Sequence, residues 1–113
     1  MANIAPSVLT DTMSVKIFKW ENVTSSDTCL PAVMPNKPDK AFQVEGFNGH
    51  TVTLTGSVAP TAEALTEFGL TDGTGTAISL TADGGSYVLE NVYIYVPVVT
   101  AGTGGVDIYL IGS

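Results

Sequence analysis

His50 is the only imidazole of this chain and Cys29 its only thiol, so nucleophilic and metal chemistry have few candidates. A His acting as general base needs a nucleophile and an orienting carboxylate close in space. The sequence sets no such group beside His50, which follows Asn48-Gly49 and reads as a polar residue at a hairpin tip. Zinc needs three or four N, S or O ligands at characteristic spacing. Cys29 and His50 do not supply them, and Cys29 beside Leu30 reads as a small buried hydrophobe. Asp72-Gly-Thr-Gly, Asp83-Gly-Gly and the Gly-Gly-x-Asp ending at Asp107 resemble calcium loops in outline. Calcium takes six to eight oxygens, usually several carboxylates from one loop. Each of these loops brings one carboxylate, so turn chemistry accounts for them. Gly102–Gly105 is followed by neither a Lys nor a helix start, which excludes a phosphate loop. Asn22-Val23-Thr24 matches a glycosylation sequon, read as a chance match because no secretion signal precedes it. Trp20, Tyr87, Tyr93, Tyr95 and Tyr109 could line a sugar-binding face, although aromatics of a sandwich more often pack in a core or interface. The expectation is a protein without catalytic residues, cofactor or metal, and not an enzyme.

The charge distribution excludes further classes. All four Lys (Lys16, Lys19, Lys37, Lys40) lie in the first forty residues, where four acids balance them, and there is no Arg. Residues 41–113 hold the other seven acids and no Lys or Arg, giving a net charge of −7. Affinity for a phosphate backbone comes from Lys and Arg releasing counterions, so nucleic acid is not an expected partner. An anionic membrane surface is excluded likewise. A single Cys permits no intrachain disulfide and suits a reducing compartment. Met1–Thr10 does not read as a signal peptide, and no apolar run approaches a membrane span. Charged residues make up 13%, against roughly 25% in ordinary soluble domains, and mean hydropathy is +0.30. The apolar surplus is most simply hidden in an interface, so an oligomer or a docked subunit is expected.

The elements that must carry these residues are strands. Ser14–Trp20 places Val15 and Ile17 on one face and Lys16, Phe18 and Trp20 on the other. Residues 21–40 are loop-like, with Pro31, Pro35 and Pro38, and Leu30–Met34 within them reads as an edge strand. Ala41–Phe47 points Phe42 and Val44 inward, and Thr51–Ser57 does the same with Val52 and Leu54. Asn48-Gly49 between them predicts a β-hairpin. Pro60–Leu70 allows one or two helical turns capped by Thr61. Asp72-Gly73, Asp83-Gly84-Gly85 and Gly102–Gly105 are turns around four further strands: Ala77–Thr81, Ser86–Glu90, Val92–Thr100 and Val106–Ile111. In Val92–Thr100, Val92, Ile94, Val96 and Val98 form one face and Tyr93 and Tyr95 the other, and Pro97 marks a sheet edge or bulge. Turn signals every 8–12 residues predict one all-β domain over residues 14–113. It is an antiparallel β-sandwich, Ig-like or jelly-roll-like, of seven or eight short strands. Residues 1–13 are expected to be an extended arm laid along a neighbour.

Three parts of residues 42–113 resemble a family of small tailed-bacteriophage head proteins. They are Val44-Glu45-Gly46-Phe47 through Val52–Ser57; Leu70-Thr71-Asp72 through Ala77–Ala82; and Val88–Asn91 with Tyr93–Thr100 and the Gly turn before Val106. Val58-Ala59-Pro60 departs from the polar turn usual there, and Val96 stands before Pro97 where Arg is common. The resemblance implies a capsid decoration, or cement, protein. It would be a β-sandwich on the outer surface of the virion, assembled in the host cytoplasm and clamped on the major capsid protein as a homotrimer or other homo-oligomer. The candidate capsid or intersubunit contacts are the apolar N-terminal residues Ile4, Pro6, Val8 and Leu9, with Leu30, Pro31, Val33 and Met34 of the Pro-rich loop. The rival expectation is a glycan- or receptor-binding module of a head fibre or tail accessory, which predicts an exposed cluster among Trp20, Tyr93, Tyr95 and Tyr109.

Overall fold

A computed structural model of the chain describes residues 2–34, 37–58 and 68–113. Among them there is no helix and there are twelve strands. In chain order they are β1 (Asn3–Ile4), β2 (Ser7–Asp11), β3 (Lys16–Val23), β4 (Thr28–Cys29), β5 (Ala32–Val33), β6 (Lys40–Glu45), β7 (Thr51–Ser57), β8 (Phe68–Gly69), β9 (Ser79–Leu80), β10 (Gly84–Val88), β11 (Ile94–Thr100) and β12 (Val106–Gly112). The helical turns anticipated for Pro60–Leu70 lie mostly outside the described residues; at its end Phe68–Gly69 is β8.

The strands form a β-sandwich. One sheet has the order β10-β6-β12-β3-β2; the other has β5-β11-β7-β8, with β9 also on β7. Numbering β3, β5, β6, β7, β8, β10, β11 and β12 as strands one to eight, the sheets read 6-3-8-1 and 2-7-4-5. That is the order of a jelly roll, in which most consecutive strands alternate between sheets.

The core is built from period-two side chains. Phe18 and Trp20 of β3, Phe42 and Val44 of β6, and Ile108 and Leu110 of β12 face Val52 and Leu54 of β7 and Tyr95 and Val99 of β11, all buried. One expectation is corrected here. Ala41–Phe47 and Thr51–Ser57 are no hairpin: β6 pairs β10 and β12, whereas β7 pairs β11, β8 and β9. The chain between them, with Gly46 and Gly49 at positive φ, carries it from one sheet to the other. An inward face of alternate residues is needed equally in a hairpin and in such an arch, so the pattern does not tell them apart. In β11 the face of Tyr95 is the core face. Tyr95, Pro97 and Val99 pair with Gly56, Leu54 and Val52, so the tyrosine points inward. β5 pairs β11 only at Ile94 and Tyr95, so Pro97 lies where β11 has a strand on one side alone among the described residues.

The N-terminal segment is not a free arm. β2 pairs antiparallel with β3 as the end strand of its sheet, and β1 pairs in parallel with β4. Pairing satisfies backbone groups that a bare β3 edge would leave open.

Candidate docking flank and its surroundings

The predicted contact residues gather on one flank of the sandwich, with one exception. β4 contacts both β3 and β11, so the β1–β4 pair bridges the gap between the β2 end of one sheet and the β5 end of the other. Leu30 N–H donates to Ile4 O (2.9 Å), which joins the N-terminal and Pro-rich segments directly. Trp20, fully buried, donates its indole N–H to Leu30 O (2.9 Å) and fixes the backbone there while the Leu30 side chain stays exposed. Val33 on β5 is exposed as well; Pro6 and Pro31 are half-buried, and Ile4 packs partly against the core.

On β2, Val8 and Leu9 are 50% and 53% exposed. The register with β3 shifts between Val8 and Thr10, making Leu9 the extra residue of a bulge. A bulged end strand is a poor template for uncontrolled sheet extension, yet it can carry side chains into a specific contact. The β2–β3 turn closes on Thr12, whose N–H donates to Val15 O (2.8 Å) and whose hydroxyl oxygen accepts from Val15 N–H (2.9 Å). Its tip, Met13, is 99% exposed. Sequence reasoning missed Met13, whose signal is an apolar residue between turn formers. Met34 is the exception. At 1% exposure it is a core residue, packed where Gly112 leaves no room for a Cβ, and it cannot serve as a contact.

The flank is held by an acid. Asp27 accepts from Ala2 N–H (3.1 Å) and Thr24 N–H (3.0 Å), tying the start of β1 to the turn before β4. The Thr24 hydrogen bonds hold its carboxyl below the usual carboxylate range. Cys29 lies under the flank, and burial pushes its thiol up to about 12, which makes it inert.

His50 is buried, not at an exposed tip. Its Nδ1 accepts from Asn48 N–H (2.9 Å), so Nε2 carries the proton and donates to Gly104 O (2.8 Å). Thr103 N–H donates to Asn48 O (3.0 Å) beside it. His50 thus clamps the β6–β7 crossing to the β11–β12 crossing. Of the aspartates of the calcium-like loops, Asp72 serves its own turn, whereas Asp83 and Asp107 tie together segments distant in the chain. Asp72 accepts from Thr74 N–H, Thr74 O–H and Thr76 N–H; Asp83 from Gly46 N–H and Phe47 N–H; Asp107 from Asn22 N–H. No group of three His, Cys, Asp or Glu side chains able to hold a metal occurs among the described residues. Lys40 is buried: burial lowers its pKa against the opposing pull of the Asp39 charge, and its ammonium donates to Lys37 O, Pro38 O and Asn91 Oδ1. Of the four aromatics named for the rival reading, Trp20 and Tyr95 are fully buried, while Tyr93 and Tyr109 are half-buried. No helix among the described residues is long and apolar enough to cross a membrane.

Comparison with protein-family models found no match, and comparison with curated proteins found none. Among solved structures, the chain is similar to the crystal structure of protein NMB1881 from Neisseria meningitidis. The identity is 8%, the TM-score 0.43, and the match covers 96% of this chain and 83% of that one.

Proposed function

We propose that the protein is a non-enzymatic structural component of a tailed-bacteriophage virion. It decorates the outer capsid surface and cements neighbouring capsomers, docking on the major capsid protein through the β2–β4–β5 flank, as a homotrimer or other homo-oligomer. One observation carries this reading: Val8, Leu9, Met13, Leu30 and Val33 stand exposed along two sheet ends on the same flank. Isolated exposed apolar residues need no explanation, but a gathering beside open strand edges marks an interaction surface. The jelly roll is compatible with this role, since capsid proteins use it, but lectin domains use it too and a fold does not fix a function. A cement protein acts by burying area across seams, and repetition over many sites makes modest individual contacts sufficient. The acidic body repels the nucleic acid around which the particle is built.

The test is the copy number of the chain in purified particles, by quantitative mass spectrometry against the major capsid protein. A ratio near one to one supports decoration at the capsomer seams. A handful of copies per particle moves the chain to a head fibre or tail accessory. Absence from particles overturns the virion reading.

A further inference from the structure

The outer face of the β10-β6-β12-β3-β2 sheet carries a groove of about 670 Å³ that the docking flank does not use. Ligand sites commonly measure roughly 300–1,000 Å³. Register places two rows of side chains across the strands. One runs Tyr87, Ala41, Ile111 and Ile17; the next runs Gly85, Gln43, Tyr109 and Lys19. The hollow exists because Ala41 and Gly85 lack bulk between two tyrosines. Gly85 has no freedom to grow, since a Cβ there would sit 2.9 Å from Phe42 O. A smaller hollow of about 140 Å³ continues past Tyr87 and Ile111 toward Asp39 and Ser113.

Tyr87 is 75% exposed, the most exposed aromatic side chain of the described residues. Tyr87 and Tyr109 lie two strands and two residues apart, about 12 Å between Cα atoms, the length of a disaccharide. Between them stands the Gln43 amide, which both donates and accepts, and one row beyond Tyr109 is Glu45, whose carboxylate already accepts from Tyr109 O–H (3.3 Å). The rows cross paired strands, so the backbone groups beneath are spent on the sheet. Recognition rests on side chains: flat aromatic faces and hydroxyl-matching polar groups, which is the chemistry of sugars rather than of an added peptide strand. Charge narrows the class. Among the described residues the ionised group lining the main groove is Glu45; the smaller hollow adds Asp39 and Lys40, whose ammonium is spent on Lys37 O, Pro38 O and Asn91 Oδ1, and Lys19 at the margin is engaged by Tyr109 and Glu21. An anionic sugar would meet carboxylates and no free cation.

We infer that this groove is a binding site for a neutral oligosaccharide, with Tyr87 as the stacking platform and Gln43 and Glu45 as the hydroxyl-reading groups. The site is independent of the docking flank, so a chain that fails to bind particles can still bind glycan, and the reverse.

The full chain is applied to an array of neutral, sialylated and sulfated oligosaccharides, and neutral hits are titrated as free sugars into ¹⁵N-labelled protein. Expected are neutral hits, amide shifts concentrated at Gln43, Gly85 and Tyr87, roughly tenfold weaker binding for Tyr87→Ala, and binding retained by Tyr87→Phe. Tyr87 is exposed, so the variant spectrum also reports whether the fold is kept; Gln43→Ala, likewise exposed, gives a second reading. No neutral hit, hits confined to anionic glycans, shifts confined to other surfaces, or a folded Tyr87→Ala that binds unchanged would each overturn the assignment.

Discussion

Replacing His50 by Leu removes the clamp between the two sheet crossings while keeping a side chain of similar size against Phe47 and Gly102. The imidazole is 1% exposed and satisfies two partners, the Asn48 N–H and the Gly104 C=O. Leucine satisfies neither, although Asn48 and Gly104 are exposed residues that water can reach. A hydrogen bond lost where water can replace the partner costs about 1 kcal/mol, so the pair is expected to cost about 2 kcal/mol. Domains of this kind are stable by only about 5–15 kcal/mol. With a urea dependence of about 1.5 kcal/mol per molar, the unfolding midpoint should fall by about 1.3 M. Urea titration followed by Trp20 fluorescence reads this directly, because the indole is wholly buried when folded. A midpoint within about 0.3 M of the parent would refute the reasoning, since it would mean that the two crossings do not depend on the ring. Gly102→Ala attacks the same clamp from the other side. Gly102 has φ +83° and its missing side chain would enter the His50 ring, so this change should also destabilise.

Val8→Ser with Leu9→Ser should weaken binding to particles stripped of the protein by roughly thirtyfold, read by co-sedimentation. Half of each side chain remains to be buried, about 1 kcal/mol apiece, and equal binding by parent and variant would remove β2 from the flank. The Asp27 carboxyl is lowered in the folded state, so its contribution is present above the ordinary carboxylate range and is lost as pH falls through the folded value. Amide exchange at Thr28 and Leu30, which donate to Ala2 O and Ile4 O, should therefore quicken on acidification below about pH 4 once corrected for intrinsic rates, and Asp27→Asn should flatten that dependence; unchanged protection would refute it. Native Cys29 should resist thiol reagents at pH 8 and react only as fast as the chain opens, because its thiol sits at about 12; rapid labelling of folded protein would contradict its burial.

The strand inventory was legible in the sequence because alternation and turn residues are local. Phe42 and Val44, Val52 and Leu54, and Val106, Ile108 and Leu110 all occupy the inward positions that their period required. Partnership between strands was not legible. The Asn48-Gly49 signal marks a reversal but not whether the chain returns in its own sheet, and here His50 draws the turn against Gly104 and sends it to the other. The core face of β11 was not legible for a similar reason. Ile94, Tyr95, Val96 and Pro97 are all buried, so apolarity alone could not rank the faces, and the register opposite Val52 and Leu54 decides it. Most of the residues proposed as contacts were readable as apolar residues in poorly patterned segments. Met34 was misplaced because only the tertiary neighbour Gly112, far along the chain, reveals the pocket that it fills.

The position of the flank within the sandwich constrains how both surfaces can work together. β2 and β10 are the two ends of one sheet, separated by β3, β12 and β6. A chain docked through its β2 end therefore holds its β10 end away from the contact, with Tyr87 and the groove directed outward. The same geometry changes what a truncation would report. Removing residues 2–11 takes away the strand that pairs β3 and the one that pairs β4, so it exposes backbone and undercuts Trp20 and Leu30 as well as deleting Val8 and Leu9. Poor particle binding by such a truncation would follow from unfolding as readily as from a lost contact. Surface substitutions at Val8 and Leu9 separate the two causes, because they leave the β2 backbone pairing in place.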